Sequence, residues 1–274
     1  MSSMPTVVGE ALRTVLVTRY VAPLREGGSL PGLVEADDDG LYVLKFRGAG
    51  QGPRALIAEL VVGAIGRLLG LPIPELVFAE LDAALGRNEP DYEIRALLRA
   101  SDGLNLGMDF LPGALTYTPA VIQTVRPPLD AALASAIVWF DAYTTNVDRT
   151  PRNPNLLIWG RQLWLIDHGA ALYFHHTWEN YLERSHTAFA AIKDHVLLPQ
   201  ASQVHEADEK LRPQITPAAL EHIVAQIPAS WLIADAQFAD ADAQRAAYVT
   251  WLLERAHSSQ RFVEEAISAR AQLV

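Results

Sequence analysis

The sequence predicts an α+β fold of two lobes, with strands in the N-terminal lobe and helices in the C-terminal lobe. Up to about residue 110, short apolar runs alternate with polar residues in the period of two that strands show, around two helical segments. From Pro119 onward the apolar residues follow the helical period, apart from one hairpin. We therefore expect one lobe over residues 1–113 and the other over residues 114–274, joined near Leu111–Gly113.

The first three predicted strands form an antiparallel meander. They cover Leu12–Tyr20, Leu33–Ala36 and Leu41–Phe46, and the first and third are rich in β-branched or aromatic residues. A glycine-rich turn, Gly27–Gly32, separates the first two strands. A polar bend, Asp37–Gly40, separates the second strand from the third.

A helix is predicted over Arg54–Leu69, because its apolar residues form one helical stripe and Gly70 with Pro72 ends it. Pro90 suits the first position of a second helix, where no backbone N–H is needed. The other elements expected before residue 111 are two strands and this second helix: Pro74–Leu81, Leu104–Phe110 and Pro90–Ala100.

The C-terminal part is predicted to contain one hairpin and three helices. Leu156–Trp159 and Gln162–Ile166 are short apolar runs separated by Gly160 and Arg161, which predicts two strands joined by a two-residue loop. The predicted helices are Asp130–Tyr143, Thr216–Ile227 and Asp240–Leu273. The helix over Asp130–Tyr143 is apolar nearly all round, so we expect it to be buried.

The composition excludes several classes of protein. Apolar residues make up 50% of the chain, which argues against a disordered protein. The net charge of -10 argues against broad contact with nucleic acid or an anionic membrane. The absence of cysteine excludes disulfides, Cys-bound zinc and thiol catalysis. The richest apolar window contains Glu59 and Arg67, and Met1–Glu10 lacks the features of a signal peptide, so we expect a cytoplasmic protein.

The predicted hairpin gathers candidate metal ligands. Its two-residue loop sets a register in which Leu157 faces Trp164. Extended to the open end, this register places Asn153 opposite Asp167, with Asp148 on the loop just before. Carboxylate and amide oxygens suit Mg²⁺, which proteins hold together with substrate phosphates. Phosphoryl transfer needs such an ion, and an Asp to accept the proton of the attacking hydroxyl.

The alternative for this segment is a solvated turn, since Asp, Asn, Pro and Arg are ordinary loop residues. The full order of D-R-x-x-x-N, hairpin and I-D-x-G is much less expected by chance, and it favours a functional site. A zinc site at His168, His175 and His176 is not favoured, because no ligand set with the usual spacing is present.

Lys45 and Glu59 form a second candidate pair. Lys45 is one of only three lysines in an arginine-rich chain, and it lies on an otherwise apolar strand. A lysine presents a compact charge to phosphates, and Glu59 on the next helix could hold that ammonium in place. The alternative is a lysine at a strand end that reaches water, beside an unrelated glutamate.

Two further segments are candidates for nucleotide contacts. The backbone N–H groups of Gly27, Gly28 and Ser29 could lie over phosphates. The backbone of Met108–Leu111, which includes Phe110, could meet the edge of an adenine just before the junction of the lobes.

Taken together, these residues resemble the HipA-like kinases. The similar segments are V-L-K-F, the helix with Glu59, L-G-L-P-I-P-E, F-D-A-Y-x-x-N-x-D-R-x-x-x-N-x-N-L and L-W-L-I-D-H-G. The D-R-x-x-x-N…D-x-G order also resembles the catalytic segment of phosphatidylinositol kinases. The resemblance covers roughly Gly27–Gly169 and continues more loosely through His195–Pro199 and the Trp231-Leu232 segment.

The resemblance implies a two-lobed, protein-kinase-like fold that binds ATP and Mg²⁺ in the cleft. By position, Lys45 would contact the phosphates and Glu59 would pair with it. Asp148 would be the catalytic carboxylate, while Asn153 and Asp167 would hold Mg²⁺. Eukaryotic-type kinases have His-Arg-Asp and Asp-Phe-Gly where this chain has N-V-D-R and D-H-G. The chain is shorter than full-length HipA toxins, and an antitoxin-like protein partner stays open.

We therefore expect an ATP-dependent phosphotransferase that acts on a hydroxyl acceptor, with a Ser/Thr protein kinase favoured. A kinase of small molecules or lipids is an alternative, because phosphoryl donors are held alike whatever the acceptor. A nucleotide-binding regulatory module that has lost turnover and acts through a partner is a third possibility. The presence of Lys45, Asp148, Asn153 and Asp167 together argues against it, since a binding module needs no catalytic Asp.

Overall fold

Five strands of the N-terminal region form a closed barrel in the order β1-β2-β3-β5-β4. The computed structural model describes residues 11–24, 30–50, 52–87, 89–118, 120–125, 128–232 and 237–273. Gly27, Gly28 and Ser29 of the predicted phosphate turn lie outside the described residues. The barrel strands are β1 (Thr14–Pro23), β2 (Gly32–Ala36), β3 (Leu41–Lys45), β4 (Leu76–Leu81) and β5 (Gly103–Asp109).

The predicted antiparallel meander of the first three strands is confirmed. Strand β1 pairs with β2 and β2 with β3, both antiparallel. The barrel closes through a parallel pairing that sequence reasoning did not predict, in which Thr14 of β1 faces Phe78 of β4. Apolar side chains such as Val34, Leu44 and Val77 fill the interior and are fully buried.

Helix α1 (Gly52–Leu68) follows β3 and packs closely on its neighbours. A methyl group at Gly63 would lie 2.6 Å from Leu76, and one at Gly66 would lie 2.2 Å from Ile73, so the two glycines allow this approach. Helix α1 contributes to the large core that also contains the C-terminal helices. Helix α1 therefore places Glu59 in the interior of the molecule, where its side chain is buried.

Helix α2 (Tyr92–Ala100) begins two residues later than the sequence predicted. Its N-cap is Asp91, whose carboxylate accepts the backbone N–H groups of Glu93 and Ile94. Pro90 therefore lies outside the helix, and its predicted position as the first helical residue is wrong. Ile94 and Leu98 of α2 pack against the barrel core.

The C-terminal region is helical around one small sheet. The sheet is β6 (Leu115–Thr116), β7 (Leu156–Trp159) and β8 (Gln162–Leu165), and the helices are α3 (Ala131–Thr144), α4 (Tyr181–Ser185), α5 (Val204–Leu211), α6 (Pro217–Ala225), α7 (Ala241–His257) and α8 (Ser259–Ala271). Short 3₁₀ turns join several elements.

Two of these helices test the sequence predictions. Helix α3 is buried nearly all round, as predicted, with Asp130 as its N-cap. The predicted single helix over Asp240–Leu273 is wrong, because α7 ends at His257 and α8 begins at Ser259, with Ser258 between them outside helical geometry.

The strand-rich N-terminal region and the helical C-terminal region confirm the predicted α+β class. The proposed lobe boundary between residues 113 and 114 stays a prediction. Among the described residues, no helix is both long and apolar enough to span a membrane.

Candidate active site

The hairpin formed by β7 and β8 has the predicted register. Trp159 faces Gln162 and Leu157 faces Trp164 across a loop of Gly160 and Arg161, both with positive φ. This is the backbone that a tight two-residue turn requires. The sequence therefore predicted the hairpin and its loop correctly.

The open end of the hairpin differs from the prediction. Regular pairing ends at Leu156, and only the Ile166 N–H continues it by donating to the Asn155 carbonyl at 3.1 Å. Asn155 and Asp167 have left-handed backbones, with φ of 49° and 54°, so the chain turns away from the ladder there. The ladder therefore does not extend to Asn153 and Asp167 as the register predicted, and the two side chains contact different partners. Their convergence on one metal ion stays a prediction.

Lys45, Glu59 and Asp167 form one charged cluster. The Lys45 Nζ lies 3.0 Å from Glu59 Oε1 and 2.9 Å from Asp167 Oδ1. Lys45 ends strand β3, and Glu59 is buried on α1. The second carboxylate oxygen of Glu59 accepts the backbone N–H of His168 at 2.8 Å, so the same glutamate also holds the residue after Asp167.

The charges of this cluster depend on one another. Burial disfavours the Lys45 ammonium, but the Glu59 and Asp167 carboxylates outweigh burial and hold the pKa of Lys45 above its usual value. Burial raises the pKa of Glu59 to about 7, against the attraction of Lys45. Burial also opposes ionisation of Asp167, but the Lys45 ammonium lowers its pKa below the usual value. Asp167 is therefore the carboxylate that stays ionised at neutral pH, as a metal ligand must.

A small cavity borders the cluster. Its walls include Lys45, Phe46, Ala55, Asp167 and Gly169. Its volume is about 20 Å³, which is enough for one water molecule. The space beside the Lys45 ammonium is therefore narrow.

Asp148, Asn153 and Asn155 form a second cluster on the loop before β7. The Asp148 Oδ2 accepts the Asn153 amide at 2.7 Å and the Asn155 amide at 3.3 Å. The backbone N–H of Asp148 donates to the Asn146 side chain at 3.1 Å. Asp148 is half-buried, so one side of its carboxylate can meet a substrate while the other is fixed.

A buried ion pair between Arg149 and Asp141 holds this loop in place, and neither residue was given a role from the sequence. The Arg149 Nε lies 2.5 Å from Asp141 Oδ2, and both side chains are fully buried. Arg149 Nη1 donates to the carbonyls of Asn155 at 2.5 Å and Ile166 at 3.3 Å. The sequence signal for this pair is the F-D-A-Y-x-x-N-x-D-R segment. It has a carboxylate, Asp141, before the candidate base Asp148, and an arginine, Arg149, directly after it.

The predicted adenine edge at Met108–Leu111 stays a prediction, and some of its backbone groups already have partners. Met108 is buried in β5, and the Phe110 N–H donates to the Leu41 carbonyl at 2.9 Å. An adenine could not use that N–H without breaking this bond. The Leu111 carbonyl accepts the Ala114 N–H at 3.1 Å.

A model of the HipA-like kinase family matches residues 17–266. The chain belongs to this family. Membership supports a kinase, and it confirms the resemblance found in the sequence. The matched region of this HipA-like kinase includes both clusters described above.

Solved structures similar to this HipA-like kinase show the fold. The proinflammatory kinase CtkA of Helicobacter pylori has a TM-score of 0.54 and 13% sequence identity, over 95% of this chain and 98% of that chain. Two structures of a Golgi casein kinase, one with Mn/ADP bound, have TM-scores of 0.48, with 14% and 12% identity. They cover 97% and 96% of this chain and 76% and 74% of their own chains. No curated protein sequence matches the chain. The likeness to CtkA confirms the two-lobed, protein-kinase-like class.

Proposed function

We propose that this HipA-like kinase transfers the γ-phosphate of ATP to a serine or threonine hydroxyl of an acceptor protein, with Mg²⁺ as its metal. The observation that best supports this proposal is the Lys45 ammonium, which contacts the Glu59 and Asp167 carboxylates at 3.0 and 2.9 Å. A buried ion pair adds little stability over a well-packed apolar pair. A lysine held in this way at a cavity wall is better explained by a role in binding a phosphate group.

Lys45 would bind the phosphates of ATP, and Glu59 would orient it. Glu59 is suited to this role because its own position is fixed by burial and by the His168 N–H. Arg at position 45 could not replace the compact ammonium, because a guanidinium presents its charge as a wider planar fork.

Asp167 and Asn153 would hold Mg²⁺, and their donor chemistry fits that ion. Asp167 offers an ionised, partly exposed carboxylate at the cavity wall. The amide nitrogen of Asn153 faces Asp148, so its oxygen is the atom left for a metal. When bound, Mg²⁺ would neutralise charge on the phosphates.

Asp148 would accept the proton of the attacking hydroxyl. Its carboxylate is oriented by two asparagine amides, and its backbone is held by Asn146. Such an oriented base is not needed by a module that only binds nucleotide, which disfavours that alternative. Small molecules and lipids remain alternative acceptors, and an antitoxin-like partner and a cytoplasmic location stay predictions from the sequence.

The proposal is tested by transfer of labelled γ-phosphate from ATP into cell lysate protein, with and without Mg²⁺. Asp148→Ala should lower transfer by about 100- to 10,000-fold, the usual contribution of a general base, with ATP affinity nearly unchanged. Asp167→Asn should instead weaken Mg²⁺-dependent binding of a fluorescent ATP analogue. The control is Asp39→Asn, which removes the same charge from an exposed bend.

Label in a lipid or small-molecule fraction, and none in protein, would replace the protein acceptor by the alternative class. No transfer to any fraction by folded wild-type protein would contradict the proposed activity. Equal transfer by Asp148→Ala and wild type would remove Asp148 from the role of base. An unchanged Mg²⁺ dependence in Asp167→Asn would remove Asp167 from the metal site.

A further inference from the structure

His195 lies outside both clusters in the sequence, yet it contacts Asp141, the carboxylate that pairs with Arg149. Its Nε2 lies 2.9 Å from Asp141 Oδ2, and both residues are buried. The next backbone group, the Val196 N–H, donates to the Arg149 carbonyl at 3.0 Å. One hydrogen bond therefore ties His195 to helix α3, and a second ties Val196 to the loop that carries Asp148.

The tautomer of His195 follows from its neighbours. The Leu197 N–H donates to His195 Nδ1 at 3.0 Å, and a backbone N–H can only donate. The Nδ1 is therefore the acceptor, and the Nε2 carries the proton that is donated to Asp141. His195 is thus oriented by its own chain and points one N–H at the carboxylate.

Asp141 links His195 to Arg149, because its carboxylate contacts both side chains. The Asp141 Oδ2 accepts from both His195 Nε2 and Arg149 Nε, and its Oδ1 accepts from the Asn146 amide at 3.0 Å. If the His195 donor is removed, the carboxylate loses one of the contacts that fix its plane. The Arg149 guanidinium, which pairs with this carboxylate, would then be held less firmly on its Asp141 side.

Arg149 connects both parts of the proposed site. It follows Asp148 directly in the chain, and its Nη1 donates to the carbonyl of Ile166, which immediately precedes Asp167. A shift of the guanidinium would therefore displace the base and the metal ligand together. Small displacements of reacting groups are costly, since about 1 Å can change a rate about 100-fold.

We propose that His195 is a positioning residue for phosphoryl transfer, which acts through Asp141 and Arg149 on the loops of Asp148 and Asp167. This inference rests on the proposed function. Among the described residues, His195 has no hydrogen bond to Lys45, Asn153 or Asp167. Its loss is therefore expected to lower kcat and to leave the KM for ATP nearly unchanged.

The test compares three substitutions of His195. His195→Gln places a side-chain amide N–H near the position of Nε2, so it can still donate to Asp141. His195→Asn is too short to reach Asp141, and His195→Leu has no donor. The control is His175→Leu, since His175 is also fully buried and its Nδ1 has one side-chain partner, the Tyr248 hydroxyl at 3.0 Å.

We expect His195→Leu and His195→Asn to lower kcat by about 10-fold or more, with KM for ATP within about twofold of wild type. His195→Gln should keep kcat within about threefold. His175→Leu should lower the melting temperature as His195→Leu does, but leave kcat within about twofold. A kcat for His195→Leu equal to that of His175→Leu would overturn the proposal, as would a His195→Gln variant as slow as His195→Asn.

Hydrogen exchange gives a readout that does not depend on activity. Amides of residues 146–155 and 166–169 should exchange faster in His195→Asn than in wild type, and should be unchanged in His195→Gln and His175→Leu. If His195→Leu does not fold, the Asn and Gln variants still decide. If wild-type protein transfers no phosphate, the proposed function fails, whereas unchanged exchange in His195→Asn would overturn the positioning role itself.

Discussion

Glu59 is a single carboxylate with two kinds of partner. One oxygen lies 3.0 Å from the Lys45 ammonium, and the other accepts the His168 N–H at 2.8 Å. The residue therefore connects strand β3, helix α1 and the chain after β8. Because the side chain is buried and makes both contacts, its loss should affect both.

The Lys45 and Glu59 pair is tested by a double-mutant cycle of transfer rates. Lys45→Ala removes a fixed charge and should cost about 100-fold or more in kcat, as the loss of a preorganised electrostatic group does. Glu59→Ala should also cost activity. The double variant should be worse than Lys45→Ala only by the loss of the His168 contact, because the carboxylate no longer has an ammonium to orient. Lys45→Arg should also be impaired.

Glu59→Gln is the control for this cycle, because it can still accept the His168 N–H without the negative charge. If the activity of Glu59→Gln lies between that of wild type and that of Glu59→Ala, the ion pair with Lys45 and the hydrogen bond from His168 each contribute to the rate. Strictly additive losses in the double variant, at equal stability, would contradict the pair.

The residue types of the candidate site could be predicted from sequence, but their contacts could not. Lys45, Glu59, Asp148 and Asp167 were identified by spacing and by resemblance. The end of the ladder before Asn153 and Asp167 follows from left-handed backbone at Asn155 and Asp167, which neither hydrophobic pattern nor turn composition indicates. The His168 N–H contact is likewise a backbone feature that no residue type reveals.

At the scale of elements, helix α1 shows how packing overrides local preference. Gly63 and Gly66 are poor helix formers, yet both lie in its buried interior. A methyl group at Gly63 would meet only the flexible end of Leu76, at 2.6 Å. One at Gly66 would lie 2.2 Å from Ile73 and 3.0 Å from Phe140, so two side chains would have to move.

Gly66→Ala should therefore lower the free energy of unfolding by about 1–2 kcal/mol, because overpacking costs more than the helix propensity that alanine gains. Gly63→Ala is the matched control and should be nearly neutral, since only the end of one side chain must give way. Urea denaturation with an unchanged m-value measures both. A Gly66→Ala variant as stable as Gly63→Ala would contradict this account of the packing.

The elements themselves were largely predictable, and their exceptions have local causes. Helix α3 and the β7–β8 hairpin lie where periodicity and turn composition placed them. The break at Ser258 was missed because the apolar period continues across it. The pairing of β1 with β4 was missed because it joins residues more than sixty positions apart in the sequence, and alternation does not specify such partners.

At the scale of the whole molecule, buried neutral histidines make stability depend on pH. Burial lowers the pKa of His175 well below its usual value, and burial also lowers the pKa of His195. Below about pH 6.5 the unfolded chain therefore binds a proton at each of these residues more readily than the folded protein does. Their contribution is therefore fully present above that pH and is lost as the pH falls through and below it.

The double variant His175→Gln/His195→Gln isolates this effect. Between about pH 6.5 and 5, its free energy of unfolding should fall less steeply than that of wild type, by up to about 2.7 kcal/mol per pH unit for two protons. Urea denaturation across this range measures the difference in slope. The comparison cancels the other titrating groups, including Glu59. Parallel pH profiles would show that the folded protein accepts these two protons.

The closed barrel also constrains the order in which the chain can fold. Strand β1 hydrogen-bonds to β2 on one side and to β4 on the other, and β4 is completed by β5. During synthesis, β1 therefore keeps an unpaired edge until residues 76–81 have emerged from the ribosome. An unpaired edge attracts other strands, so a nascent chain arrested before β4 should be prone to aggregate, and one arrested after β5 should not.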